Sequence, residues 1–484
     1  MNLLHTLSSG IVPLALLWLA GCAANPVTGE QNFVLMSVGQ ELQIGRQLDP
    51  EVKKQFGVYE APGLQGYVEE VGRKLAQHSH RAELSYRFTV VDSTDINAFA
   101  LPGGYIYVTR GLLAYLNSEA ELAAVLGHEI GHVTARHSVQ QYSKAQAANI
   151  GAALAGILVP ELGAGIAQNL MSVMGTAILS GYSREHELQA DRLGAEYLAR
   201  VGYDPRAIVE TIGVLKNQEL FAAELAKEEG REPRTYHGLF ATHPDNDTRL
   251  QQVVAEASRH AAGNSRTERD AYLEKIEGLI FGDSPRQGAI RDGSFYHGEL
   301  GFALTFPRGW KLTNRPDKLQ AKSPSGEAFM ELGLARGAKG TPQEVLRKLL
   351  GWGQAGAVET ATINGLPAAR ANTSRLGTPI LAAVIELENK AFVIGASAKS
   401  REAIERAAAE IDETIMSFHP ITEEERTRAR PYRIRTLVAK AGTRFSGLAR
   451  TSPLGENAER HLRLLNGLYP DGEPTPGQIV KIVE

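Results

Sequence analysis

Along much of the first half of the chain, apolar residues recur at three- and four-residue intervals, the spacing of one face of a helix. Leu64, Val68, Val71 and Leu75 make one such stripe, and Leu122, Val125 and Leu126 begin another. Ser118-Glu119-Ala120-Glu121, ahead of the second stripe, has the pattern of a capping box and starts a helix. A further helix opens at Ser183 and ends near Gly202, with Pro205 beyond it. Extended pieces interrupt the helices. Tyr86-Arg87-Phe88-Thr89-Val90 alternates like a half-buried strand, and Ala98 to Val108 holds Pro102-Gly103-Gly104 between apolar flanks, the pattern of two strands around a turn. From about Asp292 the texture changes. Leu300 to Phe306 alternates, Ala391-Phe392-Val393-Ile394 reads as a strand, and a helical pattern runs from Arg401 to Met416. The expected fold is α+β and multidomain. It comprises a leading segment (1–22), a mainly helical domain (23–263), a linker helix and turn (264–291), an α+β domain (292–420) without recognisable chemistry, and a small unit (432–484).

Composition narrows the chemistry. Apolar residues make up 43% and charged residues 22%, ordinary values for a folded protein. A net charge of −4 gives no case for a nucleic-acid partner. The single cysteine, Cys22, excludes an intramolecular disulfide and a thiolate zinc cluster, so a zinc site here has to use His and carboxylate. Ala145 to Ser180 carries one charge, Glu161, and reads as buried or site-covering helices; Pro160, the glycines and Gln168-Asn169 weigh against a transmembrane hairpin. Arg426, Arg428, Arg430, Arg433 and Arg435 alternate, as on a solvated strand face or linker, or a surface for an anionic partner.

His128-Glu129-Ile130-Gly131-His132 lies on the helix that Ser118 starts. A four-residue separation puts both imidazoles on one face, where two nitrogens can share an ion. Glu129 sits about 100° further round, beside the ion, where a base for an activated water belongs. Gly127 and Gly131 let another backbone or a substrate come close. A metzincin would need Gly at 135 and His at 138; Ala135 and Ser138 exclude that class. His137 falls about 140° off the ligand face if the helix continues, facing solvent or lying behind a ligand. Glu187 is the candidate third ligand. Asp191, one turn on, can accept a hydrogen bond from a ligand imidazole.

The runs HEIGHVTARH (128–137), SREHELQAD (183–191) and ATHP (241–244) together resemble the CAAX-prenyl-protease type of zinc metallopeptidase, over roughly Asn25 to Ser258. That resemblance implies a helix-rich, gluzincin-like domain holding one Zn2+ per chain on His128, His132 and Glu187, with Glu129 as the base and Asp191 behind a ligand. His243 matches a family histidine near the metal. It either polarises the scissile carbonyl or takes a fourth coordination position that holds the enzyme latent. Arg249 is a second candidate for steadying the oxyanion. The strand Asn97-Ala98-Phe99-Ala100 is the candidate for holding an extended substrate by backbone pairing.

Two further resemblances concern the ends. Ile11 to Ala20 is an apolar run too short to span a bilayer comfortably, and Leu19-Ala20-Gly21-Cys22 resembles a bacterial lipobox, although the first ten residues lack Lys and Arg. The likeness implies a cleaved signal peptide, lipidation of Cys22 and, with Ala23 following, a periplasmic protein anchored to the outer membrane. Asn25-Pro26-Val27-Thr28-Gly29 looks like the exported members of the family. Tyr432 to Glu484 resembles a diverged LysM module, which implies a βααβ fold and contact with peptidoglycan. Gly442-Thr443-Arg444 stands where Gly-Asp-Thr is usual, so a protein-interaction surface is the alternative. The expected function is a zinc endopeptidase for unfolded or misassembled envelope proteins. The alternative is a cell-wall-associated lipoprotein scaffold with a structural or residual metal site. Glu129 favours the enzyme, because a scaffold has no use for a base.

Overall fold

The computed structural model describes residues 22–158, 181–228, 252–254, 257, 259, 265–351, 358–375 and 378–484. The leading apolar segment, residues 159–180, His243 and Arg249 lie outside the described residues. The chain forms two compact units, one of residues 1–279 with 433–484 and the other of residues 280–432.

The first unit is organised around the helix Glu119–Thr134, called the motif helix below, in which every residue from Ala120 to Thr134 is buried. A helix buried all round shows little amphipathic stripe, and this is why only its first turns could be read from periodicity. Ser118 caps it by accepting from the Glu121 amide. The Glu121 carboxylate accepts instead from the amide of Asn117 (2.8 Å), so the capping box is shifted by one residue. Helix Pro62–Ala76 packs beside the motif helix with Leu64, Val68, Val71 and Leu75 buried. Strand Arg87–Val91 pairs in parallel with Tyr105–Thr109, which pairs antiparallel with Ala98–Leu101. Gly103 and Gly104 make the intervening turn with φ of 83° and 92°, a left-handed conformation that side chains with a Cβ disfavour. Ala98–Leu101 is therefore an edge strand, and it packs against the motif helix.

Near the N-terminus, Cys22–Ala24 pairs with Gln31–Phe33 around a turn in which Asn25 Oδ1 accepts from the Val27 amide (2.8 Å). Residues 265–279, the first part of the expected linker 264–291, belong to this unit. Its helix Arg269–Lys275 buries Tyr272, whose hydroxyl donates to the carbonyl of Leu113 (2.6 Å).

Residues 432–484 run as strand Tyr432–Val438, helices Phe445–Ala449 and Ala458–Leu465, and strand Ile479–Val483, the two strands paired antiparallel. This segment docks on the motif-helix side of the unit through buried polar contacts. Lys481 is fully buried, and its ammonium donates to the carbonyls of Ala114 and Leu116 at 2.7 Å each. Those carbonyls lie at the C-terminal end of helix Arg110–Tyr115, where a cation is favoured. Arg460 binds Glu224 and Glu228 on helix Ala207–Glu228, and the His461 ring meets Phe221 edge-on at 4.6 Å.

Burial pushes the His461 imidazole down to about 4. In the unfolded chain its value is near 6.5, so between those limits the unfolded state takes up a proton that the folded state refuses. Stability is accordingly complete above about pH 6.5 and falls as pH drops through the window. His461→Phe keeps a ring against Phe221 and removes the proton. It is expected to flatten the pH 4–6.5 limb of the melting temperature relative to the wild type, as thermal unfolding at several pH values will show.

The second unit is built on a seven-stranded antiparallel sheet. Along its strands Leu366–Arg375 and Thr378–Leu387, alternate residues face opposite ways. Ala369, Ala371, Ala382 and Val384 pack with Val345 and Leu346 of helix Pro342–Leu350. Ala368, Ala383 and Ile385 pack on the other face with Ile404, Ala407, Ile411 and Ile415 of helix Arg401–Met416. The alternating arginines do not share one strand: Arg426 and Arg428 end a helix, and Arg433 and Arg435 lie on strand Tyr432–Val438. Among the described residues, no helix is long and apolar enough to cross a membrane.

Candidate metal centre

Small residues bring two helices into backbone contact at the site. On the motif helix a Cβ at Gly131 would lie 3.0 Å from the carbonyl oxygen of Ala190, and one at Gly127 would lie 3.3 Å from Gly194 Cα. Across the seam, a Cβ at Gly194 would meet the amide nitrogen of His128 at 3.1 Å. A Cβ at any of these three points would be tighter than nearly all real Cβ contacts, and the facing backbone would have to give way. The helix Arg184–Arg200 therefore lies close enough to the motif helix for its short acidic side chains to reach the histidines. Ser183 starts it by accepting from the His186 amide, which puts Glu187 in the first turn and Asp191 one turn later.

The result is a buried cluster. His128 Nε2 and His132 Nε2 lie 3.0 Å apart. The two oxygens of Glu187 are 3.5 Å from His128 Nε2 and 3.4 Å from His132 Nε2. His128 is 8% exposed, Glu129 and His132 1% each, and Glu187 0%. Donor atoms about 2.0–2.1 Å from a tetrahedral zinc centre lie about 3.3 Å from one another; here one ligand atom from each residue can be chosen so that all lie within 4.8 Å of one another, close enough to converge on one small cation. Two nitrogens and one oxygen form a zinc-type donor set. Among the described residues, His128, His132 and Glu187 form the one cluster of His, Asp, Glu or Cys compact enough to hold a metal ion.

The surroundings fix the rings. His128 Nδ1 donates to Asp191 Oδ1 at 2.8 Å. The Tyr182 ring stacks on His132 with centroids 3.9 Å apart, and its hydroxyl shares a 2.7 Å hydrogen bond with Ser138. Burial lowers the basicity of His128, but Asp191 and then Glu187 outweigh it and raise this imidazole to about 9. His132 goes the other way, pushed well below the usual histidine range by burial.

The structure brings His128, Glu129, His132, Glu187 and Asp191 into one buried region. The strand holding Ala98, Phe99 and Ala100 packs on the same helix, with Asn97 just before it. His243 and Arg249, outside the described residues, are not placed. Sequence reasoning left His137 open, because it extended the helix past its end. The motif helix stops at Thr134, and Arg136 adopts φ 59°. Glu41 holds that turn, accepting from Arg136 Nε (2.9 Å) and from Arg81 (2.7 Å). His137 is thereby folded back, fully buried, with its Nδ1 2.9 Å from His132 Nδ1. Neither a glycine nor a proline marks this break in the sequence. The adjacency of Arg136 and His137 to the motif was the available signal.

Comparison with known proteins places this geometry in context. Residues 62–257 match the family model described as Peptidase family M48. The chain is 26% identical over 274 residues to the beta-barrel assembly-enhancing protease of Escherichia coli (strain K12), covering 55% of this chain and 54% of that protein. It is 36% identical over 149 residues to the mitochondrial metalloendopeptidase OMA1 of Arabidopsis thaliana, covering 30% of this chain and 29% of that one. The chain thus spans about half the length of the first of these relatives. A solution structure of cyanobacterial PsbP from Synechocystis aligns with 28% of the chain at a TM-score of 0.22 and 13% identity. The family match and the named relatives support a metalloendopeptidase.

Proposed function

We propose that this chain is a zinc endopeptidase of protein quality control that cleaves unfolded or misassembled polypeptides. The observation that carries the reading is the buried convergence of His128, His132 and Glu187, the two Nε2 atoms 3.0 Å apart and each facing one Glu187 oxygen at 3.4 and 3.5 Å, with Glu129 on the motif helix. In this reading those three residues hold the ion. Zinc bound there supplies Lewis acidity, lowering the pKa of water to about 7. The Glu129 carboxylate takes a proton from the attacking water and hands it to the leaving amine nitrogen. Asp191 orients His128 through its Nδ1 proton and strengthens it as a donor. Strand Ala98–Leu101, hydrogen-bonded on one side to Tyr105–Thr109, offers its outer edge to an extended substrate. His243 either polarises the scissile carbonyl or closes the site, and Arg249 stands by to steady the oxyanion. An unfolded polypeptide is the fitting substrate, because edge pairing requires several consecutive extended residues.

The reading extends to location. The lipobox-like run ending at Cys22 supports an N-terminal lipid anchor and work in the periplasm at the outer membrane. The Escherichia coli relative, a beta-barrel assembly-enhancing protease, supports proteins of β-barrel assembly among the clients. The LysM-like likeness of 432–484 supports contact with peptidoglycan. The test is elemental analysis of the purified full chain together with cleavage of unfolded casein. One zinc per chain and chelator-sensitive cleavage are expected, both lost in Glu187→Ala. A zinc content near zero in the wild type, or undiminished cleavage by the variant, would overturn the assignment.

A further inference from the structure

We propose that His137 and Gln189 form a proton-fixing relay that selects the metal-binding tautomer of His132; this rests on the zinc reading above. A neutral imidazole carries one proton on two nitrogens. His132 can offer its Nε2 lone pair to an ion beside Glu187 only if the proton sits on Nδ1. That nitrogen lies 2.9 Å from His137 Nδ1. For a hydrogen bond to form there, His137 Nδ1 has to be the bare nitrogen, and its own proton has to be on Nε2. His137 Nε2 in turn lies 3.0 Å from Gln189 Oε1, an oxygen that can only accept. With the Gln189 oxygen turned to His137, as it is here, each proton position follows from the next. The opposite tautomer of His132 would aim a proton at the ion and, with the His137 proton held on Nε2 by Gln189, leave two bare buried nitrogens facing each other.

The relay is held mechanically as well. The Arg136 turn folds His137 back over the motif helix, and its ring stacks on His186 at 4.2 Å and 14°. Gln189 and Glu187 lie on the same helix, so the element that brings a carboxylate to the ion also sets the proton of the second imidazole. The two histidines are therefore backed differently. His128 rests on the charged Asp191, and His132 on a neutral histidine and amide. A neutral backing orients His132 without adding a fourth carboxylate to a buried site that already contains Glu129, Glu187 and Asp191.

His137 and Gln189 are positioning residues, and zinc affinity by chelator competition is the readout. His137→Leu and Gln189→Leu remove the acceptors and are expected to weaken zinc binding about 10–100-fold. His137→Asn puts an amide oxygen near the position of Nδ1 and is expected to recover most of the affinity, as is Gln189→Glu, which keeps an acceptor. The Co2+ absorption spectrum should shift in the two Leu variants and return in the conservative ones. Thermal melting of the metal-free variants checks the fold; should His137→Leu not fold, the half-exposed Gln189 pair decides. Folded Leu variants that bind zinc like the wild type overturn the relay alone. A wild type that binds no zinc overturns the metal reading and the relay with it.

Discussion

Glu129→Gln is expected to keep one zinc per chain while lowering cleavage of unfolded casein by about 10²–10⁴-fold, the usual worth of a positioned general base. The amide fits the space of the carboxylate, so packing of the motif helix is preserved, and Glu129 is outside the compact donor cluster. What the change removes is the capacity to accept a proton and return it. The loss should fall on kcat, because a proton transfer is felt in the transition state and not in substrate binding. A side chain that is 1% exposed and serves no catalytic purpose would be an expensive place for a carboxylate. Zinc retained with cleavage unchanged would remove Glu129 from the mechanism.

Gly131→Val should act by a different route. A Cβ there already meets the backbone of Ala190 at 3.0 and 3.1 Å, and the two further methyl groups have to displace the helix Arg184–Arg200. Overpacking of this kind costs about 1–3 kcal/mol of stability. The larger effect is on the metal, because the displaced helix carries Glu187 and Asp191. Zinc affinity is expected to fall by at least about 10-fold, the scale of losing one orienting partner. Gly213→Ala is the control. A Cβ at that helical position meets nothing within 4 Å, so alanine should be neutral or stabilise by about 0.5–1 kcal/mol. Chelator competition and thermal melting on both variants separate damage at the seam from a general intolerance of added carbon. A Gly131→Val protein with wild-type zinc affinity would show that the glycine seam does not set the donor distances.

How far the sequence alone leads depends on how local each signal is. The i, i+4 spacing of His128 and His132 is enforced by the helix itself, so their shared face could be read directly. Glu187 and Asp191 lie roughly sixty positions away, yet they could be singled out because the same one-turn spacing recurs behind the Ser183 cap. Strands around Gly103-Gly104 were legible because turn chemistry is local. The Arg136 turn was not. It depends on Glu41, 95 positions upstream, holding a guanidinium in place, and no pattern near Arg136 announces that partner. The docking of residues 433–484 was hidden for the same reason: Lys481 looks like any lysine of an alternating strand until Ala114 and Leu116 are found beside it. Glycines 127 and 131 signalled close approach, but only the folded chain shows that Ala190 and Gly194 are what approaches.

The first unit leaves its own chain path at Leu279 and resumes it at Arg433. At that point the path is already stitched together: the Gly278 amide donates to the Ile434 carbonyl (2.9 Å), and the Ile434 amide donates to the Leu279 carbonyl (2.8 Å). Residues 280–432 are thus spliced into a host whose two cut ends touch. Bridging so narrow a gap takes a short loop with little closure entropy, the arrangement that lets one domain be grafted into another.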